Sequence, residues 1–203
     1  CRALAREAFL QAIRLNPDSY RTHLLLADLA NDRHDTAQAL EEYEKAVSLG
    51  AADPEVHILL VQFLRSKGRA DEALAKAQVA VQKFPAHPRL NCELGQLLLG
   101  MKKPLDAARR FERSLAADPS LAEARAGLAD SYAALGETEK AVREMKQALS
   151  DDPDGSYHYR LGRWLQMSGR TREAADAFSV STELKQERSR KERERFLSIR
   201  RGT

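Results

Sequence analysis

The sequence predicts an all-α fold, an α-solenoid of antiparallel helix pairs. Three observations predict it. The same residue types return at a fixed period of 34, as at Ala5, Ala39, Ala73, Ala107 and Ala141. Each period holds two stretches with helical apolar spacing, separated by a short break. The composition favours helix: Ala, Leu, Arg, Glu and Lys dominate the 203 residues, with 10 Gly, 7 Pro and no alternating Val/Ile/Thr segments. Self-similarity at such a period marks stacked supersecondary units.

The first stretch of each period carries one apolar stripe, seen at Leu26, Leu29 and Ala30 and again at Leu60, Phe63 and Leu64. A break follows, such as "SKGRAD", "LGETEK" or "MSGRTR", whose Gly68, Gly136 and Gly169 suit a left-handed helix cap. The second stretch runs over an Ala–aromatic–Ala column set: Ala39, Tyr43 and Ala46, then Ala107, Phe111 and Ser114, then Ala141, Met145 and Ala148. It ends before Pro17, Pro85, Pro119 and Pro153, because the residue preceding Pro is pushed out of helical backbone. A second column, Leu26-Ala27, Leu60-Val61, Leu94-Gly95 and Leu128-Ala129, returns as Leu161-Gly162 after one deletion near Asp154. The expected map is the second helix of a truncated repeat over 2–19, repeats over 20–53, 54–87, 88–121, 122–154 and 155–181, and a charged helical tail over 182–203.

These columns resemble the tetratricopeptide repeat (TPR) family. Leu128, Ala129, Tyr132, Gly136, Ala141, Met145, Ala148 and Pro153 fall in its Leu, Gly/Ala, Tyr, Gly, Ala, aromatic, Ala and Pro slots, and the resemblance covers about residues 2–181. It implies a right-handed superhelix in which first helices line a concave groove and second helices form the back. Three departures stand out: His34 and Lys102 occupy the capping-Gly slot and Ala51 replaces the Pro, so looser turns are expected there. The half repeat at 2–19 leaves Ala5, Phe9 and Ala12 wanting a partner helix. This suggests a piece of a longer chain, with an open face through which copies could self-associate. A lipidated Cys1 is the weaker alternative, because helix begins at once with no polar linker.

Small residues in the columns make physical sense in a stack. Ala129, Ala141 and Ala148 let helix axes approach to about 8–10 Å. Leu128, Tyr132 and Met145 supply burial, ~1.5–3 kcal/mol for each large side chain fully buried.

Nothing in the sequence argues for catalysis, a cofactor or a metal. His23 and His57 lie 34 apart, and His158 fills the same slot after the deletion, so they read as scaffold that packs a ring and bonds a backbone carbonyl. No HxxxH or HExxH spacing supports zinc. "GQLLLGMKK" is a broken phosphate loop, interrupted by Met101 and lying in a helix. Cys92 has no predicted His or acidic partner, and two cysteines give no disulfide framework. No run of 18 apolar residues spans a bilayer, and the compartment stays open.

Net charge is +3, unevenly placed. Residues 182–203 hold 8 basic and 4 acidic groups, 8 − 4 = +4, so the remainder carries +3 − 4 = −1. Three readings of this tail stay open: a solvated helix with Glu187–Lys191 as an i,i+4 pair, a patch for nucleic acid or anionic lipid, and an apolar spot at Phe196, Leu197 and Ile199 that folds back or meets a partner. The interspersed Glu argues against nucleic acid.

The resemblance implies that slots 2, 5, 9 and 12 of each first helix face the groove. Carried over, the candidate peptide-binding residues are Leu24, Asp28, Asn31, Ile58, Gln62, Arg65, Cys92, Gln96, Ala126, Asp130, Tyr159 and Arg163. They vary in chemistry while the scaffold columns do not. The family's Lys/Asn carboxylate clamp looks absent, since Leu24, Asp28, Leu59 and Arg89 stand in its slots. An extended peptide with apolar anchors and basic residues fits the Asp28 and Asp130 acids better. The expected function is a non-enzymatic scaffold holding a peptide segment of a protein partner. The alternatives are a C-terminal interaction or regulatory module of a larger enzyme or signalling protein and, last, nucleic-acid binding through the tail.

Overall fold

The computed structural model describes residues 16–201. Most of the half repeat expected over 2–19, including Ala5, Phe9 and Ala12, lies outside them. The described chain is helical throughout, with ten α-helices and no strand among the described residues. The described residues divide into two compact units, the first ending at Leu97 and the second beginning at Leu98.

The first unit holds α1 (Tyr20–Asp32), α2 (Thr36–Leu49), α3 (Pro54–Ser66), α4 (Ala70–Lys83) and most of α5 (Pro88–Gly100). Its first three helices start on side-chain caps: Ser19 accepts from the Thr22 N–H, Asp35 from Gln38 and Asp53 from Glu55. Pro54 opens α3 at its first turn, where a missing N–H costs nothing. Successive helices pack together, α1 on α2, α2 on α3 and α3 on α4. The Ala columns are sealed: Ala39, Ala46, Ala73 and Ala80 expose no surface. Tyr43 stacks at a tilt on Phe63, with ring centroids 4.9 Å apart.

The second unit holds α6 (Pro104–Ala117), α7 (Ala122–Ala134), α8 (Thr138–Ala148), α9 (Ser156–Met167) and α10 (Thr171–Arg201), again with neighbours in the chain packed in order. A short 3-10 turn, Leu149–Asp151, ends α8 before Pro153. Ala126, Ala129, Met145, Ala148, Leu161, Leu165 and Ala174 belong to one core cluster. Helix α7 is buried on most sides, at Ala122, Ala124, Ala126, Gly127, Leu128, Ala129 and Ser131. Its small side chains are the reason it fits there. A Cβ on Gly127 would lie 2.4 Å from Cζ of Phe111, so the bare backbone accommodates the ring. Gly162 does the same for Phe178, at 2.7 Å.

The expectation of looser turns is corrected. His34 and Lys102 adopt φ of 62° and 58°, the left-handed backbone that Gly68, Gly136 and Gly169 adopt. Their turns close with the same bonds. The His34 N–H donates to Asn31 O at 3.0 Å and Asp35 to Ala30 O at 2.9 Å, as Gly68 donates to Arg65 O and Arg69 to Leu64 O. Two bonds per turn hold a conformation that costs an L-residue about 1–2 kcal/mol. The Ala51 turn is likewise closed, Asp53 N–H to Gly50 O at 2.8 Å, matching His87 to Phe84 and Leu121 to Asp118 at the Pro-bearing turns.

Candidate functional site

In the first unit, α1 places Asp28 in solvent and leaves Leu24 and Asn31 half-buried. The Tyr43 hydroxyl donates to Asp28 at 2.5 Å. Burial first, and then this carboxylate, push the Tyr43 phenol well above its ordinary range, so it stays a donor. From α3, Arg65 is exposed and Gln62 half-buried. Both reach α5: the Gln62 amide donates to Glu93, Arg65 donates to Gln96, and Arg65 Nη2 lies 3.3 Å from Glu93 Oε2. Glu93 itself is buried, so these contacts offset the cost of a carboxylate taken out of water.

The second unit repeats the device. Asp130 of α7 pairs with Arg160 of α9, whose guanidinium also stacks over the Tyr157 ring at 4.9 Å. Asp130 titrates above the ordinary range because burial outweighs Arg160. Gln62 and Asp130 occupy the same slot, and Glu93 and Arg160 occupy the slot they reach, once the deletion is counted. Tyr159 remains 46% exposed, beside Phe178 at 5.7 Å between centroids and beneath Lys185 Nζ at 4.9 Å. Arg163 is exposed.

Three candidates are corrected. Ile58, Cys92 and Ala126 are buried, at 0%, 2% and 2% exposure, and offer no surface to a ligand. All three sit in the fifth slot. Ala126 shares the core cluster with Leu161 and Leu165 of the next first helix, which shows where that slot points. Tyr159 holds the fifth slot of the last pair and keeps its exposure. A fourth correction is electrostatic: Asp130 is engaged by Arg160 and presents no idle carboxylate to a basic peptide.

The histidine slot is scaffold, with more varied chemistry than one carbonyl bond. His57 Nε2 lies 3.4 Å from Ala51 O and its ring meets Phe84 edge-on. Asn91 and Arg125, in the same slot, donate to Pro85 O at 2.9 Å and Pro119 O at 2.8 Å. His23 instead contacts Glu42 at 2.6 Å, and His158 contacts the buried Asp152 at 2.7 Å. Asp152 also accepts the Tyr157 and His158 N–H groups and so caps α9. Sequence reading missed Glu93, Arg160 and Asp152. The signal for the first two was present, as complementary polar residues one repeat apart in adjoining slots.

Among the described residues, no group of three or more His, Cys, Asp or Glu is placed to hold a metal, and no helix is long and apolar enough to cross a membrane.

Comparison with known families now bears on this geometry. One family model, described as tetratricopeptide repeat, matches residues 2–54 and 24–88, and another of the same description matches 98–165. The chain belongs to the tetratricopeptide repeat family. Comparison with curated protein sequences gives no match. Among solved structures, the TPR chain is similar to MamA (41 to the end) of Desulfovibrio magneticus RS-1, with a TM-score of 0.70, 23% identity, and 84% of this chain and 97% of that one covered. It is similar to PilF of Pseudomonas aeruginosa, with a TM-score of 0.74, 22% identity, and 93% and 89% covered. A third similar structure is YrrB, described as a TPR protein with an unusual peptide-binding site, with a TM-score of 0.62, 20% identity, and 87% and 92% covered. At these identities the likeness shows the fold and nothing more. TPR folds of this kind serve as protein-interaction scaffolds, and that coarse description applies here.

Proposed function

We propose that the chain binds a peptide segment of a protein partner along the first-helix face of its units, without chemistry of its own. One observation carries the reading. The scaffold columns are buried, while Asp28, Asn31, Gln62, Arg65, Gln96, Tyr159 and Arg163 vary in type and keep solvent access. Variable, accessible side chains on a rigid, repeated backbone are what sequence-selective peptide recognition needs. The peptide-binding site ascribed to YrrB supports the reading by analogy of fold. The half-buried amide of Asn31 suits the backbone of an extended peptide, and Tyr159 offers an apolar contact. The preference for basic peptides is withdrawn at Asp130 and rests on Asp28 alone.

The test is selection of ligands from a random peptide display library, followed by hydrogen-exchange mapping of the bound complex. Protection concentrated on α1, α3 and α5 in the first unit, or on α7 and α9 in the second, supports the proposal. Protection confined to α2, α4, α6 and α8 refutes it.

A further inference from the structure

We infer that one face of α10 is a docking site for an acidic peptide segment of a partner. The inference rests on reading the chain as a protein-binding scaffold, and concerns a surface apart from the first-helix face. Helix α10 has 31 residues, about 46 Å, against 12 residues and about 18 Å for α9. Its C-terminal half therefore outruns its partner helix. The basic surplus of the tail is sorted across this helix. One face carries Leu184, Glu187, Arg188, Lys191, Glu192 and Arg195 and rests by Pro153. There Lys191 pairs with Glu187 at 2.7 Å, and Arg188 with Glu192 at 2.9 Å and Asp154 at 3.4 Å.

The opposite face carries Thr182, Lys185, Gln186, Ser189, Arg190 and Arg193, three cations and no carboxylate. Arg190 has a 3.7 Å contact with Glu194, exposed on both sides and worth little, and acts on Glu187 at longer range. Lys185 lies over the Tyr159 ring, and no carboxylate within ion-pair distance of Lys185 or Arg193 is found among the described residues. Cations at steps of five and three residues stand about 7.5 and 4.5 Å apart along the axis. Acidic side chains on one side of an extended peptide repeat at about 6.6–6.8 Å, a comparable spacing. Gln186 and Ser189 lie between Lys185 and Arg190, Thr182 lies about one turn before Lys185, and all three add hydrogen-bond partners for a peptide. The occupant is a peptide rather than a nucleic acid because Glu183 and Glu194 flank the stripe: a phosphate backbone carries a charge at every nucleotide and must pass them, whereas a peptide with spaced acids places uncharged residues there.

The test uses the full 203-residue chain and a short fluorescein-labelled peptide with Glu at alternate positions, read by anisotropy at fixed ionic strength. Lys185→Gln with Arg193→Gln should weaken binding about five-fold or more, the sum of two exposed charge contacts. Lys191→Gln with Arg195→Gln removes the same charge from the opposite face and should change binding less than about two-fold. Circular dichroism checks that both double variants keep their helix. Equal weakening by both, or no binding of the unaltered chain, overturns the site. So does tighter binding of an oligonucleotide of equal charge or of phosphatidylserine vesicles. Asp28→Ala with Arg65→Ala and Arg163→Ala should leave this peptide bound. Its loss there would move the acidic peptide to the first-helix face and overturn the α10 site, whereas failure of library-selected peptides alone would leave α10 intact.

Discussion

The Phe178 ring occupies the space that a side chain at Gly162 would need, its Cε1 lying 2.7 Å from the ideal Cβ position. The two residues belong to the facing helices α9 and α10 of one pair. Gly162→Ala should cost about 1–3 kcal/mol by overpacking, and Gly162→Leu more. Combining Gly162→Ala with Phe178→Leu should recover part of the loss. Thermal melts followed by circular dichroism check this, and an unchanged midpoint in Gly162→Leu would contradict the packing. Ala141→Leu, at a site with no exposed surface, should fall in the same range.

His34 and Lys102 give the opposite sign at a turn. Each stands in left-handed backbone that Gly adopts without steric cost. Relief of about 1–2 kcal/mol, less about 0.4–1 kcal/mol of added unfolded-state entropy, leaves His34→Gly and Lys102→Gly each more stable by about 0.5–1 kcal/mol. Gly68→Ala should destabilise by about 1 kcal/mol, since Gly68 has φ of 72°. Urea midpoints decide it, and a loss of stability in both Gly variants would contradict the shared turn geometry.

The polar pairs between first helices were the least legible part of the sequence. The 34-residue period gave the helix pairs, their order and the sealed Ala columns, because burial forces the same small residues to recur. Groove slots were harder to read, because slot geometry says which way a side chain points but not what lies there. Ile58, Cys92 and Ala126 point along the stack and are covered, while Tyr159 in the last pair is not. The Glu93 and Arg160 partnerships depend on lateral contacts between repeats, and reading each repeat as a separate unit hides them. Size exchange between facing helices was legible in principle: in two slots 16 residues apart, Val61 is matched with Ala77 and Gly162 with Phe178, and the second pair is in contact.

Arg65 tests those lateral contacts. Arg65→Ala withdraws a guanidinium from the buried Glu93 carboxylate and should destabilise by about 1–2 kcal/mol, discounted because the Arg65 side chain is 40% exposed. Arg65→Ala with Glu93→Leu should lose less than the sum of the single changes. A double-mutant cycle from urea unfolding measures the coupling, and strict additivity would contradict the pairing.

His57 gives a pH dependence. Burial, partly opposed by the Ala51 carbonyl, lowers its pKa below the usual value of about 6.5. The unfolded chain then binds the proton more readily than the folded one. The His57 contribution is present above about pH 6.5 and is lost as pH falls from there through the folded value. His57→Asn copies Asn91 of the same slot and should flatten this part of the stability–pH profile. Urea unfolding across pH 5 to 8 checks it, and an identical slope in the variant would contradict the assignment.

Peptide recognition by the first-helix face is tested most directly by the dissociation constant of one library-selected peptide against two variants. Asp28→Ala with Arg65→Ala and Arg163→Ala alters that face, and Val79→Ala with Arg109→Ala and Arg143→Ala alters exposed positions on second helices. Binding should weaken at least about ten-fold in the first and less than about two-fold in the second. Tight binding retained by the first variant and lost by the second would contradict it.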